Sequence, residues 1–269
     1  MDNPSARPFA VVTGGSSGIG FELARQFVEN GHDVMIAAED EGHLATAKSA
    51  LSTGGTTVDT HASDLSTEDG VNSLFQALGS RPVDVLCVNA GVGLGGPFAE
   101  TDLERELKMI DLNVRGAVQL TKLVLKGMVA RDSGRLLFTS SIAATHPSSF
   151  EAVYGATKVF LRWFGEALRN ELKDTGVSVT VLMPSVTETN FFERADMMDT
   201  NAGTSKSKDD PAEVAREAYD ALMADKHKVV PTIKNKIMGA LADATPAPVG
   251  AMLHRALAKP GSANQEKSK

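Results

Sequence analysis

Thr13-Gly14-Gly15-Ser16-Ser17-Gly18-Ile19-Gly20 is the stretch on which the fold of this chain turns. The run before it, Phe9 to Val12, is wholly apolar and suits a buried strand. After it, Ile19, Leu23 and Phe27 recur every four residues, as on one face of a helix. The glycines therefore occupy a strand-to-helix turn, where backbone N–H groups and the positive helix end favour a pyrophosphate. Gly14 permits the tight turn, and Gly18 and Gly20 let backbone and phosphate approach with no Cβ between them. The spacing is not the common G-x-G-x-x-G, and no Lys-Ser or Lys-Thr follows to make a P-loop. A merely flexible loop is the competing reading.

Working outward, strand-like runs at 9–12, 33–37, 57–62, 83–88, 135–140, 177–183 and 228–231 alternate with helix-like ones. The first six are largely apolar, as when helices cover both faces of a parallel sheet. The expected fold is α/β: a single Rossmann-type doubly wound parallel sheet of about seven strands, flanked by helices. Thr101 followed by Glu104 reads as a capping box opening a helix that reaches about residue 130 and contains Asn113. A second helix from about Ala152 carries Tyr154, Lys158, Leu161, Phe164 and Leu168. Asp210-Pro211 starts a third. Ile233, Ile237, Met238 and Leu241 lie on one face of a last helical stretch, which Pro246 and Pro248 interrupt.

With 269 residues the chain has room for one full core. Residues 1–8 and 261–269 are polar and expected to be disordered, with one domain over 9–260 and a mobile substrate lid over 190–210. The net charge of −7 and scattered basic residues speak against nucleic acid, and no apolar run is long enough for a membrane span. Cys87 is the only cysteine, so no internal disulfide can form, and no metal set is visible; the cytoplasm is the expected compartment.

Tyr154 and Lys158 are spaced i, i+4, so on a helix they share a face. A free phenol titrates near ~10. A neighbouring ammonium stabilises the phenolate and moves it toward the working range, which makes an acid and base for an alcohol proton. Ser141 ends a predicted strand, where its hydroxyl can point at the carboxyl edge that binds ligands in such sheets. Ser140 fits the plainer role of capping the strand end. The competing reading of the pair is a helix tyrosine beside an unrelated surface lysine.

Taken together these stretches resemble the short-chain dehydrogenases/reductases, over about residues 9–189. Thr13 to Gly20 is similar to that family's cofactor turn, Asp64-Leu65 to the pair beside its adenine, and Asn113 to its helix-borne catalytic asparagine. Asn89-Ala90-Gly91 matches three residues of its Asn-Asn-Ala-Gly loop, with Val88 in place of the first Asn. Pro184 and Thr189 match the ends of its Pro-Gly-x-x-x-Thr segment, with Ser185 in the glycine position and Val186 between.

The resemblance implies an NAD(P)(H)-dependent oxidoreductase that interconverts an alcohol and a carbonyl by hydride transfer. It implies catalytic roles for Asn113, Ser141, Tyr154 and Lys158, with Asn113 holding a water that links Lys158 to solvent. It places the cofactor against Gly14, Ser16, Ser17, Gly18, Ile19, Gly20, Asp64, Leu65, Asn89, Ala90, Gly91, Tyr154, Lys158, Pro184, Val186 and Thr189. It also implies a homodimer or homotetramer, with Leu161, Trp163 and Leu168 as candidate contacts.

At the end of the second strand Ala38 takes the family's usual Asp position and Glu39 its usual Arg position. A carboxylate there repels a 2′-phosphate, and nothing obvious in the sequence offsets it, so the reading leans to NAD(H). Phe191, Phe192, Met197 and Met198 suggest an apolar cover; Ala143, Ala144, His146, Phe150 and Val153 suggest the side of the pocket. The expected substrate is a small apolar alcohol or carbonyl compound. His146 reads as a polar loop histidine. A non-enzymatic dinucleotide sensor on the same fold is the alternative, but it predicts a decayed Ser–Tyr–Lys set. A dehalogenase-like relative would carry Arg in place of Lys158, and a lipid-surface role would need an unbroken C-terminal helix.

Overall fold

The computed structural model describes residues 7–52, 55–232 and 245–264. Seven parallel strands form one sheet in the order β3-β2-β1-β4-β5-β6-β7. They are β1 (Phe9–Thr13), β2 (Asp33–Ala38), β3 (Val58–Ala62), β4 (Val85–Val88), β5 (Gly134–Thr139), β6 (Val177–Leu182) and β7 (Lys228–Val229). The helices are α1 (Gly18–Glu29), α2 (Glu41–Leu51), α3 (Glu68–Leu78), α4 (Leu103–Ile110), α5 (Ala117–Ala130), α6 (Ala152–Glu171), α7 (Phe191–Arg194), α8 (Pro211–Met223) and α9 (Ala247–Ala258).

The inner strands β1, β2, β4 and β5 are largely apolar on both faces because both faces are covered, whereas the edge strand β3 carries Asp59, Thr60 and His61 half-buried. Along β1, Ala10 and Val12 pack with Leu23 and Phe27 of α1, Leu44 of α2 and Val214 of α8. The alternate residues Phe9 and Val11 pack with Leu74 of α3, Leu120 and Met128 of α5 and Leu161 of α6. Each of the larger of these side chains, Val and above, contributes about 1.5–3 kcal/mol. Strand order reverses between β1 and β4. The crevice beyond the carboxyl ends of these two strands is where doubly wound sheets take ligands, and it holds the site described below.

Several elements differ from the sequence reading. The helix expected from Thr101 starts one residue later, because Asp102 is the N-cap and its carboxylate accepts from Arg105 N. The Thr101 hydroxyl binds Glu106 Oε1 at 2.8 Å instead. Between α4 and α5 the chain makes a π-helical turn, Asp111–Gly116. Gly116 lets this turn lie against the β3–α3 loop, since a Cβ would stand 2.1 Å from the Leu65 carbonyl oxygen.

Pro246 and Pro248 stand at the start of a helix, and the stretch before Thr245 that they were expected to interrupt lies outside the described residues. Pro246 is the N-cap of α9 and Pro248 stands in its first turn, where a missing N–H costs nothing. Ile233, Ile237, Met238 and Leu241 lie outside the described residues. So do residues 1–6 and 265–269 of the expected disordered ends, whereas Ser262–Asn264 form a 3-10 turn beside Asp199, whose carboxylate accepts from Gly261 N at 2.7 Å. Leu161, expected at a subunit contact, is in the core at 1 % exposure; Leu168 also packs on that core, and Trp163 is the exposed member of the three.

Candidate active site

Between β1 and α1 the chain turns with positive φ at Gly14 (65°) and Gly18 (55°). A Cβ on Gly20 would stand 2.2 Å from the Gly14 carbonyl oxygen and 2.5 Å from Asn89 Nδ2. The loop after β4 is tied to the same turn by Thr13. Its hydroxyl accepts from Asn89 N and Ala90 N, both at 3.0 Å, and Asn89 Nδ2 donates to the Thr13 carbonyl at 3.1 Å. The result is a tightly folded backbone turn at a helix N-terminus, which glycine alone allows; it fits the pyrophosphate of a dinucleotide.

The adenosine end of the crevice carries a group that the sequence reading missed. Lys108 of α4 places its ammonium 3.4 Å from Glu39 and 3.2 Å from Asp64. The expectation that nothing offsets Glu39 is therefore corrected. Asp64 raises the Lys108 pKa most, with Glu39 adding to it. Burial pushes the Asp64 carboxyl up, but Ser66 and Lys108 together hold it below its usual value.

At the carboxyl end of β5 the two serines divide their work. Ser140 donates to the Lys158 carbonyl at 2.6 Å, fastening the strand end to α6. Ser141 accepts from Ala143 N at 3.1 Å and starts the 3-10 turn Ile142–Thr145. Tyr154 and Lys158 are both buried, with Lys158 Nζ 5.7 Å from the phenol ring centre and donating to the Thr139 carbonyl at 3.0 Å. Burial drives the Tyr154 pKa above its ordinary value, Glu151 adds to this, and the Ser141 hydroxyl opposes it. Burial pushes Lys158 down to about 8.

The protein alone thus does the reverse of lowering the phenol into the working range. Desolvation and the nearby Glu151 outweigh the Ser141 hydrogen bond. A lowered phenol needs additional positive charge next to it.

Asn113 sits in the π turn at full burial, and its amide is fully committed. Nδ2 donates to the Val92 carbonyl at 2.9 Å and Thr157 Oγ1 at 3.0 Å, while Oδ1 accepts from Val92 N at 2.9 Å. It holds the loop after Gly91 against α6. Gly91 matters there, because a Cβ would stand 3.1 Å from Asn113 Oδ1 and 3.2 Å from Lys158 Nζ.

One cavity of about 730 Å³ joins the glycine turn, Glu39, Asp64, Ser141, Tyr154 and Lys158, whereas Asn113 and Lys108 do not line it. Every residue expected at the cofactor lines it, as do Ser141, Ala143, Phe191 and Phe192. Phe150 does not: its φ is 66°, and its ring lies under the Arg255 guanidinium at 4.8 Å. Ala144, Val153, Met197 and Met198 are also absent from the walls; Met197 is buried with Phe192 and Ala195 beneath the cover. In their place α9 supplies Leu253, His254 and Leu257, and Glu151, the N-cap of α6, lines the cavity as well. The one sequence signal for that wall was the spacing of Leu253 and Leu257.

The family model described as short chain dehydrogenase matches residues 8–200. The NADP-dependent 3-hydroxy acid dehydrogenase of Salmonella typhi is 37% identical over 179 residues, 65% of this chain and 71% of that protein. The 3-dehydrosphinganine reductase of Arabidopsis thaliana is 34% identical over 230 residues, 81% of this chain and 68% of that protein. A short-chain dehydrogenase from Sphingobium yanoikuyae, solved in complex with NADPH, superposes with a TM-score of 0.81 at 25% identity, covering 91% of this chain and 95% of that one. Among the described residues no helix is long and apolar enough to cross a membrane.

Proposed function

The chain belongs to the short-chain dehydrogenase family, and from that premise we propose that Tyr154 is the acid and base of its reaction. The protein is an NAD(P)(H)-dependent oxidoreductase that interconverts an alcohol and a carbonyl group. The bound dinucleotide supplies or accepts the hydride. Ser141 holds the substrate oxygen at the end of β5. Tyr154 gives its hydroxyl proton to that oxygen as the carbonyl is reduced, and takes a proton from the alcohol in the reverse direction. Burial keeps the Tyr154 phenol protonated in the resting protein, and positive charge placed beside it would make that proton easier to give. Lys158 stabilises the tyrosinate left behind and binds the ribose. Asn113 fixes the Gly91–Val92 backbone against α6, and with both amide hydrogens engaged its side chain acts by position rather than by holding a water.

The observation that carries this reading is the meeting of Ser141, Tyr154 and Lys158 with the glycine cradle on one cavity. It is tested by thermal shift with NAD, NADH, NADP and NADPH, followed by a carbonyl and alcohol panel read by nicotinamide absorbance. Turnover of no member, with cofactor bound, would remove it.

Glu39 at the end of β2 supports a preference for NAD(H), which the Lys108 ammonium beside it narrows. Phe191 and Phe192 support an apolar substrate skeleton under a cover formed by residues 190–210 of a single domain, 9–260. Trp163, 57 % exposed on α6, supports a dimer or tetramer paired through that helix. The single buried Cys87 suits the cytoplasm.

A further inference from the structure

Beyond Ser141, Tyr154 and Lys158 the cavity holds a second polar cluster. Glu151 and His254 are both buried, and His254 Nε2 lies 2.8 Å from Glu151 Oε2. His146 meets His254 edge to face, ring centres 5.7 Å apart. All three line the cavity, among the apolar Ala143, Phe191, Leu253 and Leu257. Gly250 makes the cluster sterically feasible, since a Cβ there would stand 2.5 Å from the Cβ of His146. The C-terminal helix is thereby brought down onto the turn that follows Ser141.

Hydrogen bonding defines what this cluster offers. The Thr145 hydroxyl donates to the Ile142 carbonyl at 2.8 Å, so its one proton is spent. His146 Nδ1, 2.8 Å from Thr145 Oγ1, is then the donor of that pair, and Nε2 keeps its lone pair. Burial, and then His254, lowers the His146 pKa and favours this neutral form. Glu151 Oε1 receives no hydrogen bond from any described residue. The cluster therefore presents two acceptors, one of them on a carboxylate, in an otherwise apolar wall. Neither acceptor is closed off inside the protein, so a ligand donor that enters the cavity can reach both.

We propose that Glu151, His254 and His146 form a second recognition point in the pocket, which takes a hydroxyl group carried by an otherwise apolar ketone or alcohol. The inference rests on Ser141 and Tyr154 being the end that holds the reacting oxygen. Glu151 lies one helical turn before Tyr154, and His146 one 3-10 turn after Ser141, which sets the hydroxyl about 5–10 Å from the reacting carbon. A carboxylate at that position would face Glu151 and is disfavoured. His254 is a positioning residue here: it fixes Glu151 Oε2 and leaves Oε1 for the ligand.

The test uses the full chain and two matched series. One comprises 4-phenyl-2-butanone, its para-hydroxy derivative and its para-carboxylate; the other comprises 2-nonanone and 9-hydroxy-2-nonanone. Both kcat/KM with reduced cofactor and binding to the protein loaded with oxidised cofactor are measured. A donor onto a charged acceptor is worth roughly 10–100-fold, so in at least one series the hydroxylated member should win by about that factor. The carboxylate should rank below the parent ketone. Glu151→Gln and His146→Phe should each shrink the hydroxyl-to-parent ratio, and the ratio cancels any change in Tyr154 itself. Equal binding of hydroxylated and parent members overturns the proposal. So does a ratio that survives both substitutions while melting temperature falls, which would make the cluster only a clasp for α9. If no ketone turns over yet binding still shows a Glu151-dependent hydroxyl preference, the dehydrogenase reading fails and the recognition point stands.

Discussion

Replacing Lys158 by Met should make the cofactor-free protein more stable while abolishing its activity. Met keeps an unbranched stem of similar length and removes the ammonium. Lys158 is 4 % exposed, and burial takes its pKa from 10.5 to about 8 with no neighbouring carboxylate to compensate. At 1.36 kcal/mol per pKa unit, holding that charge in the fold at neutral pH costs about 3 kcal/mol. Losing the hydrogen bond to the Thr139 carbonyl takes back about 1–2 kcal/mol. The net gain of about 1–2 kcal/mol corresponds to a melting temperature roughly 2–6 °C higher for a chain of this size. The sign with pH follows from linkage. Between pH 8 and 10.5 the unfolded chain holds the Lys158 proton and the folded one has released it, so the wild-type protein gains stability as pH rises. The Met variant lacks this contribution, so its advantage should be full near pH 7 and nearly gone by pH 10. Thermal unfolding of both proteins at the two pH values, without cofactor, measures the difference directly. A variant that melts several degrees lower at pH 7, or an advantage that does not change with pH, refutes the argument that the fold strains to hold this charge.

Gly20→Ala should weaken cofactor binding tenfold or more in a titration, because the new Cβ lands 2.2 Å from the Gly14 carbonyl oxygen and forces the turn open; unchanged affinity would mean that the cradle does not read the pyrophosphate. Lys108→Ala should weaken NADP(H) more than NAD(H), and Glu39→Arg should do the opposite, since a guanidinium suits a phosphate; parallel changes in both cofactors' specificity constants would remove these residues from cofactor choice. Light scattering at micromolar concentration should show a dimer or tetramer, and a stable monomer would contradict the pairing through α6.

What was legible in the sequence was local. The turn between β1 and α1 is written in glycine spacing, and the inner strands are written in apolar runs because both faces of the sheet are covered. Tyr154 and Lys158 could be paired on paper because four residues make one helical turn. What was not legible came from elements that meet only in the folded chain. Lys108 reaches Glu39 and Asp64 from a third element, and Glu151 finds His254 103 residues away. The π turn around Asn113 leaves no mark in a helical repeat. Pro246 and Pro248 were ambiguous for a physical reason: proline breaks a helix interior but suits its first turn. Leu161 and Trp163 are two positions apart, hence on different faces of α6, and the sequence alone did not say which face is covered.

The most direct measurement of the central claim is the turnover of Tyr154→Phe. The Phe ring keeps the packing against Phe191, whose ring centre lies 5.2 Å from that of Tyr154, and only the transferable proton is lost. With a ketone that the wild-type protein reduces, followed by nicotinamide absorbance, kcat should fall by roughly 10²–10⁴-fold, with melting temperature and cofactor affinity nearly unchanged. A variant that keeps most of its turnover would contradict Tyr154 as the acid and base.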